Sequence, residues 1–320
     1  MGTSFLLLVT VVMGTFIRVH EAQLAYDYYK FSCPSVETIV KTEIVKIFLT
    51  DVSAPAAFIR LLFHDCQVQG CDASILLRSH DLACNSEMES SRNFGIRKLE
   101  MINHIKTILE INCPGHVSCA DIIALAAKES VFITGGPEIK IPLGRKDSVT
   151  CSSQQADANI PAAGIGVPKL LQIFASHGMT LEESIAILGA HTLGVGHCIN
   201  IVSRLYDANP SDQMNWAFKA VLILKCPTRV PLTNLTIVPN DLTPLAFDNQ
   251  YFKNILMGKG LFGIDSSLSR DPRTMPVVKQ FAADQNYFFQ VFSSAFVKLS
   301  STKVLTQREG EVRRQCYHRN

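Results

Sequence analysis

Arg60 and His64 stand four residues apart in the run Arg60-Leu61-Leu62-Phe63-His64-Asp65-Cys66. Residues at i and i+4 share a helix face, so the guanidinium and the imidazole can converge on one small substrate. An imidazole takes a proton and returns it near neutral pH. A fixed cation beside it stabilises negative charge as it appears on a departing oxygen. An isolated pair of this kind is more often solvated or structural than catalytic, so its meaning depends on its surroundings. A second histidine, His191, lies among small residues in Leu188-Gly189-Ala190-His191-Thr192-Leu193-Gly194. Taken alone, it reads as a core histidine satisfied by backbone.

The elements that must hold these side chains are helical. Val36, Ile39, Val40, Ile44, Ile47 and Phe48 recur at three- and four-residue steps and predict an amphipathic helix over about residues 35–50. Residues 54–65 form a second, carrying Arg60 and His64. A third is predicted over 96–111. A fourth, over 119–133, is capped by Ser118 and ended at Gly135-Gly136-Pro137. Further helices are predicted at 167–177, 213–225, 244–257 and 276–299, the last broken near Gln285-Asn286. Thr180 and Glu183 make a capping box for a helix over 181–190, which delivers His191. Alternating strand patterns are scarce, so the fold class is mainly α.

Residues 1–22 read as a secretory signal peptide, with an apolar core from Phe5 to Val12 extended to Ile17, then a polar stretch and Ala22. The run is short for a bilayer span and is interrupted at Gly14 and Arg18. No later segment is long and apolar enough to cross a membrane. Roughly 300 residues remain, enough for one large domain or two closely packed lobes. Hydrophobic content of 47% with 18% charged residues describes a globular chain. A net charge of +2 is too small to call for nucleic acid or an anionic membrane. Ten cysteines, all beyond the signal peptide, point in an exported chain to disulfides rather than zinc. Asn234-Leu235-Thr236 is the one N-glycosylation sequon.

Several segments, in order and spacing, resemble the secretory plant (class III) heme peroxidases. They are residues 60–74 (RLLFHDCQVQGCDAS), 117–121 (VSCAD), 142–147 (PLGRKD), 188–194 (LGAHTLG) and Phe247-Asp248-Asn249. The resemblance runs from Tyr28-Tyr29 and Phe31-Ser32-Cys33-Pro34 to Cys316. It implies a two-lobed, disulfide-stapled helical domain over 23–320, with one heme b between the lobes. His191 is then similar to the axial iron ligand, and Asp265 to the carboxylate that accepts its second N–H and gives the ring anionic character. His64 would deprotonate hydrogen peroxide and return the proton to the leaving oxygen. Arg60 would stabilise the developing charge, and Phe63 would wall the pocket. The implied activity reduces peroxide to water through a ferryl intermediate, which small phenolic donors then reduce by one-electron steps. Pro161 matches a proline at the rim where such donors are received. The family also implies a monomer secreted to the apoplast or cell wall.

Two calcium ions are implied as well. Asp65, Val68, Gly70, Asp72 and Ser74 match one site, offering the oxygen donors that a hard cation takes. Thr192, Thr243, Ala246 and Asp248 match the second. Its usual aspartate falls on Asn240, with Asp241 one step on, so either residue could serve. The family's pairing gives Cys33–Cys113, Cys66–Cys71, Cys119–Cys316 and Cys198–Cys226. Cys84 and Cys151 are left as a fifth bridge or as two thiols. Asp121 and Arg145 match a buried structural ion pair.

The pattern departs from the family at two places. Alignment back from Ser91-Arg92-Asn93-Phe94 puts Glu87 where an asparagine usually holds the distal histidine, with Asn85 two residues away. Glu87 or Asn85 is therefore expected to accept the His64 Nδ1–H, and a carboxylate there would raise the His64 pKa. Gln67 replaces the aromatic residue common after Asp-Cys, so donor preference is not carried over. Two other classes compete. A heme-free, calcium-stabilised wall protein is opposed by Arg60, His64, His191 and Asp265 together. A zinc hydrolase built on His64, Cys66 and Cys71 is opposed by the export of those cysteines and by the lack of a His-Glu-x-x-His helix.

Overall fold

The apolar steps of the N-terminal region fold as α1 (Val36–Thr50) and α2 (Ala54–Val68), separated by a turn in which Asp51 receives the Ser53 N–H. α3 (Leu99–Asn112) and α4 (Cys119–Ile133) pack against them. The computed structural model describes residues 24–79, 84–207, 212–231, 233 and 235–320. The predicted signal peptide and Asn234 lie outside those residues.

α4 is mostly apolar and buried from Cys119 to Val131, with only Lys128 and Glu129 reaching toward its edge, so it forms the axis of the first lobe. Ser118 caps it by accepting the Asp121 N–H, and Asp147 receives the Cys119 and Ala120 N–H groups. α3 begins three residues later than predicted. Gly95 and Lys98 both take positive φ, which holds the chain out of a right-handed helix until Leu99.

The chain then crosses through α5 (Ser153–Asn159), α6 (Val167–Ser176) and α7 (Leu181–Ala186). The Thr180/Glu183 capping box is present, but the predicted helix over 181–190 ends at Ala186 and continues as a 3-10 segment, Ile187–Thr192. That tighter turn presents His191. α8 (Val202–Tyr206) and α9 (Trp216–Lys225) form a smaller apolar cluster, with Asn215 capping α9 and shortening the predicted 213–225 helix. The predicted helix over 244–257 is only α10 (Gln250–Leu256), because Asp241 and Asp248 draw residues 241–249 into hydrogen-bonded turns. α11 (Gly263–Leu268), α12 (Met275–Ala283) and α13 (Gln285–Ser300) complete the second lobe. The predicted break falls at Asp284, which caps α13 through the Tyr287 N–H.

Sheet structure among the described residues is minor. β1 (Cys84–Asn85) pairs in parallel with β2 (Cys151–Ser152), and β3 (Val195–His197) pairs antiparallel with β4 (Ile237–Pro239). The class is mainly α, in a two-lobed helical arrangement.

Four devices fix the lobes. Phe247, Phe252, Phe281, Phe288, Phe292 and Phe296 are fully buried beneath the His191 turn, with ring contacts of 4.7–6.1 Å, each worth about 1 kcal/mol beyond area. Arg145 and Asp121 form a wholly buried ion pair at 2.7 Å, with Tyr29 and Gly144 N also donating to Asp121. Removing one partner of such a pair costs about 3–5 kcal/mol. Arg313, also fully buried, reaches back from the C-terminal tail to the Ala73, Ser148 and Cys316 carbonyls. The ten cysteines form five disulfides: Cys33–Cys113, Cys66–Cys71, Cys84–Cys151, Cys119–Cys316 and Cys198–Cys226. Cys84 and Cys151 are thus bridged, across the β1–β2 pair.

Candidate active site

α2 carries Arg60 and His64 on one face, as their spacing requires. Arg60 Nε–H donates to His64 Nε2 at 3.1 Å, and its terminal nitrogen donates to the Phe94 carbonyl at 3.0 Å. His64 is buried, and its Nδ1 lies 2.7 Å from Asn93 Oδ1. Because Nε2 accepts from Arg60, Nδ1 carries the proton and donates to Asn93. Asn93 is held in turn by donating to the Glu87 carbonyl at 2.7 Å.

This corrects the expectation for His64. Neither Glu87 nor Asn85 accepts its proton, and Glu87 contributes only its backbone oxygen. Residues 87–89 and 91–93 are two successive 3-10 turns, which swing the Asn93 amide inward and the Glu87 carboxylate elsewhere. The electrostatic consequence reverses too. Burial, then the Arg60 charge, lowers the His64 pKa to about 3, against which the Asn93 bond acts only partly. His64 is therefore a neutral imidazole whose Nε2 lone pair is its basic site. Burial also lowers Arg60, to about 10, which leaves it a cation at neutral pH.

Phe63 meets the His64 ring edge-on at 5.9 Å and Phe174 at 6.2 Å. Gly95 is tightly constrained: it has φ +80°, and a Cβ there would come 2.8 Å from His197 Nε2 and 3.2 Å from the Arg60 guanidinium. His197, on β3, is a neighbour of the Arg60 pocket that its place in the sequence did not reveal.

His191 lies close enough to this group that a charge on its ring would be felt at His64. Its Nδ1–H donates to Asp265 Oδ1 at 3.0 Å, leaving the Nε2 lone pair free to bind a metal. Tyr251 and Phe262 flank the ring edge-on, yet 36% of the side chain is exposed. Tyr251 OH and Phe262 N also donate to Asp265, at 2.9 Å each. Burial and the Asp265 charge push the Tyr251 phenol well above its usual range, so it stays a donor. A neutral imidazole lone pair backed by a carboxylate, opposite a second imidazole and a guanidinium, is a donor set that fits an iron porphyrin. Pro161 follows α5. Its loop packs on α11, where Ile264 N–H donates to the Ala163 carbonyl at 3.3 Å.

The loop after α2 gathers oxygen atoms with no partner. Asp65 Oδ1, Ser74 Oγ and both Glu87 carboxylate oxygens are buried without a hydrogen bond. Burial and the neighbouring Asp72 and Glu87 charges push Asp65 well up. Burial likewise raises Asp72 to about 6 and Glu87 to about 8, although the nearby Ser74 and then the Arg313 charge oppose both. Buried carboxylates that cannot shed their charge cost are what a cation would relieve. Among the described residues no three His, Cys, Asp or Glu side chains converge as a metal cage by themselves. A cation here therefore needs hydroxyl and carbonyl oxygens too, which suits calcium. Gly70 takes φ +140°, and a Cβ there would collide with the Lys303 carbonyl.

Behind His191, Thr192 Oγ1 lies 2.6 Å from Asp241 and 3.0 Å from Asp248. Thr243 Oγ1 lies 3.3 Å and 3.1 Å from the same two carboxylates. Burial raises Asp241 to about 6. Asn240 instead donates to the Leu193 carbonyl at 2.8 Å. Of the two candidates for the acidic position, Asp241 converges with the threonines and Asn240 braces the backbone.

A helical protein with this pair of facing histidines has the architecture of a peroxidase, and the peroxidase family model matches residues 40–284. The chain belongs to that family, in its class III plant branch. It is 48% identical over 315 residues to peroxidase 29 of Arabidopsis thaliana, covering 97% of this chain and 93% of that protein. Peroxidase 21 of the same plant is 38% identical (95% and 93% covered), and peroxidase 12 is 37% identical (93% and 83%). The chain is accordingly an oxidoreductase that uses hydrogen peroxide and an electron donor, and the family implies heme. No helix among the described residues is long and apolar enough to cross a membrane.

Proposed function

We propose that the chain is a secreted, monomeric heme peroxidase in which residues 23–320 form the catalytic domain. It reduces hydrogen peroxide to water and oxidises two small phenolic donors by one electron each. The observation that carries the reading is the hydrogen-bonded series Arg60–His64–Asn93 opposite His191–Asp265.

His191 Nε2 would hold the heme iron, and the bound heme would supply the site at which peroxide is reduced and electrons are exchanged. The protein's own part is proton handling. His64 Nε2 takes a proton from one peroxide oxygen and delivers it to the other, which leaves as water. Asn93 keeps Nδ1 protonated, so Nε2 is always the exchanging nitrogen. Arg60 stabilises the negative charge on the departing oxygen. Phe63 limits access to the pocket, and Pro161 marks the edge at which a flat aromatic donor is received.

Asp65, Val68, Gly70, Asp72 and Ser74 would bind one calcium ion, with Glu87 facing the same cluster. Thr192, Asp241, Thr243, Ala246 and Asp248 would bind the second. That second ion would brace the residue next to His191 and so couple calcium to the iron site. Five disulfides and the Asn234 sequon support export to an oxidising extracellular space.

Hemin-loaded protein should show a heme absorption band that shifts on adding peroxide and returns on adding a phenol, with phenol oxidation abolished by His64→Ala. Protein that stays colourless with hemin, or oxidises phenols equally well without His64, would refute the reading.

A further inference from the structure

Asp265 Oδ1 accepts two hydrogen bonds, from His191 Nδ1 at 3.0 Å and from Tyr251 OH at 2.9 Å, while Oδ2 accepts the Phe262 N–H. Tyr251 and Asp265 are 3% and 1% exposed, so water does not compete for that oxygen. The hydroxyl is not needed for packing. Tyr251 lies edge-on to Phe252, beside an all-phenylalanine cluster that a further phenylalanine would continue. Bringing a hydroxyl into this interior costs free energy that its one hydrogen bond must offset, and that bond is made to the atom His191 uses.

We propose that Tyr251 is a positioning residue that sets how strongly Asp265 draws on the His191 ring. A hydrogen bond to a carboxylate stabilises its charge and spreads it. What Tyr251 takes up is not available to the His191 N–H, and because both donors share one oxygen the competition is direct. With the hydroxyl present, His191 keeps the character of a neutral imidazole. Without it, the ring moves toward imidazolate and its Nε2 becomes a stronger donor to a metal. A stronger anionic donor favours the more highly charged state of that metal. Tyr251 therefore raises the reduction potential of whatever iron His191 holds. The inference rests on the peroxidase reading of His191.

The test is the ferric/ferrous midpoint of hemin-loaded Tyr251→Phe, measured by spectroelectrochemistry at fixed pH. Losing the hydroxyl is expected to shift the equilibrium about tenfold toward ferric, about 59 mV more negative for one electron. A midpoint unmoved or more positive overturns the proposal. In an Asp265→Asn background the carboxylate charge is already gone, so Tyr251→Phe should add no further negative shift. A full additive shift there also overturns it, because the effect would not run through Asp265. A parent whose heme spectrum is unchanged by His191→Ala overturns both this inference and the reading beneath it. A parent that passes that check, with a Tyr251→Phe midpoint unmoved, overturns this inference alone.

Discussion

Substituting Asn93→Asp puts a charge where an amide carbonyl now accepts the His64 Nδ1–H at 2.7 Å. In the parent, burial and the Arg60 charge hold the His64 pKa down to about 3, so Nε2 can take a proton from about pH 4 upward. A carboxylate at hydrogen-bond distance favours the imidazolium. If it only restored the ordinary value of about 6.5, about 3% of the rings would be neutral at pH 5, against about 99% in the parent. The rate of reaction with hydrogen peroxide at pH 5 should then fall about 30-fold below the variant's own plateau, roughly 2 kcal/mol in barrier. The assay is kcat/KM for peroxide across pH 4 to 9 on hemin-loaded protein. Asn93→Ala serves as a second variant. It leaves the His64 Nδ1–H and the Glu87 carbonyl without partners, which at about 1–3 kcal/mol per buried orphan should destabilise the fold by about 2–6 kcal/mol, and it should lower kcat/KM at every pH without displacing the acid limb upward. An Asn93→Asp profile superimposable on the parent between pH 4 and 7 would refute the reasoning. So would a displacement of the acid limb produced by Glu87→Gln instead.

The calcium-free protein should lose stability as pH rises. Asp72 and Glu87 have folded values raised to about 6 and about 8, so the fold binds protons that the unfolded chain does not. Their contribution is fully present below the ordinary carboxylate range and is lost as pH climbs through those two values. The gain in Tm on adding calcium should therefore be larger at pH 9 than at pH 5, and equal gains would contradict the site. At the second cluster, Asp241→Ala should reduce bound calcium from two ions to one by metal analysis, whereas Asn240→Ala should keep both and cost about 1 kcal/mol for its lost bond to Leu193. The reverse result would return the acidic role to position 240. Gly189→Ala should displace the His191 turn, because a Cβ there would lie 2.5 Å from Phe288 and 3.0 Å from Phe252. Overpacking of about 1–3 kcal/mol and weakened hemin retention are expected, read by Tm and by hemin transfer to an acceptor protein. Unchanged values for both would show that the turn yields freely.

What the sequence made legible is what local spacing encodes. The four-residue step from Arg60 to His64, the Ser118 and Thr180 caps and the Asp284 break all depend on neighbours along the chain. The missed features depend on distant segments. Asn93 belongs to a recognisable local run, yet its role follows only from two short turns that rotate it under His64. Counting along the chain points Glu87 at the histidine because it assumes one continuous conformation, and residues 87–93 do not have one. Tyr251 and His197 reach the site only through tertiary approach. The position-240 ambiguity was likewise beyond sequence, since adjacent side chains in a turn point to different partners.

Arg313 grips the Ala73 carbonyl across a separation of 240 residues, and Cys316 is bridged to Cys119. A chain made from its N-terminus has every helix of the first lobe long before either partner exists. That lobe must therefore wait, with its α2 loop unfastened, until Arg313 and Cys316 have left the ribosome. Loss of the segment that carries Arg313 and Cys316, for example by a premature stop after Ser301, should thus harm the oldest part of the molecule rather than the newest.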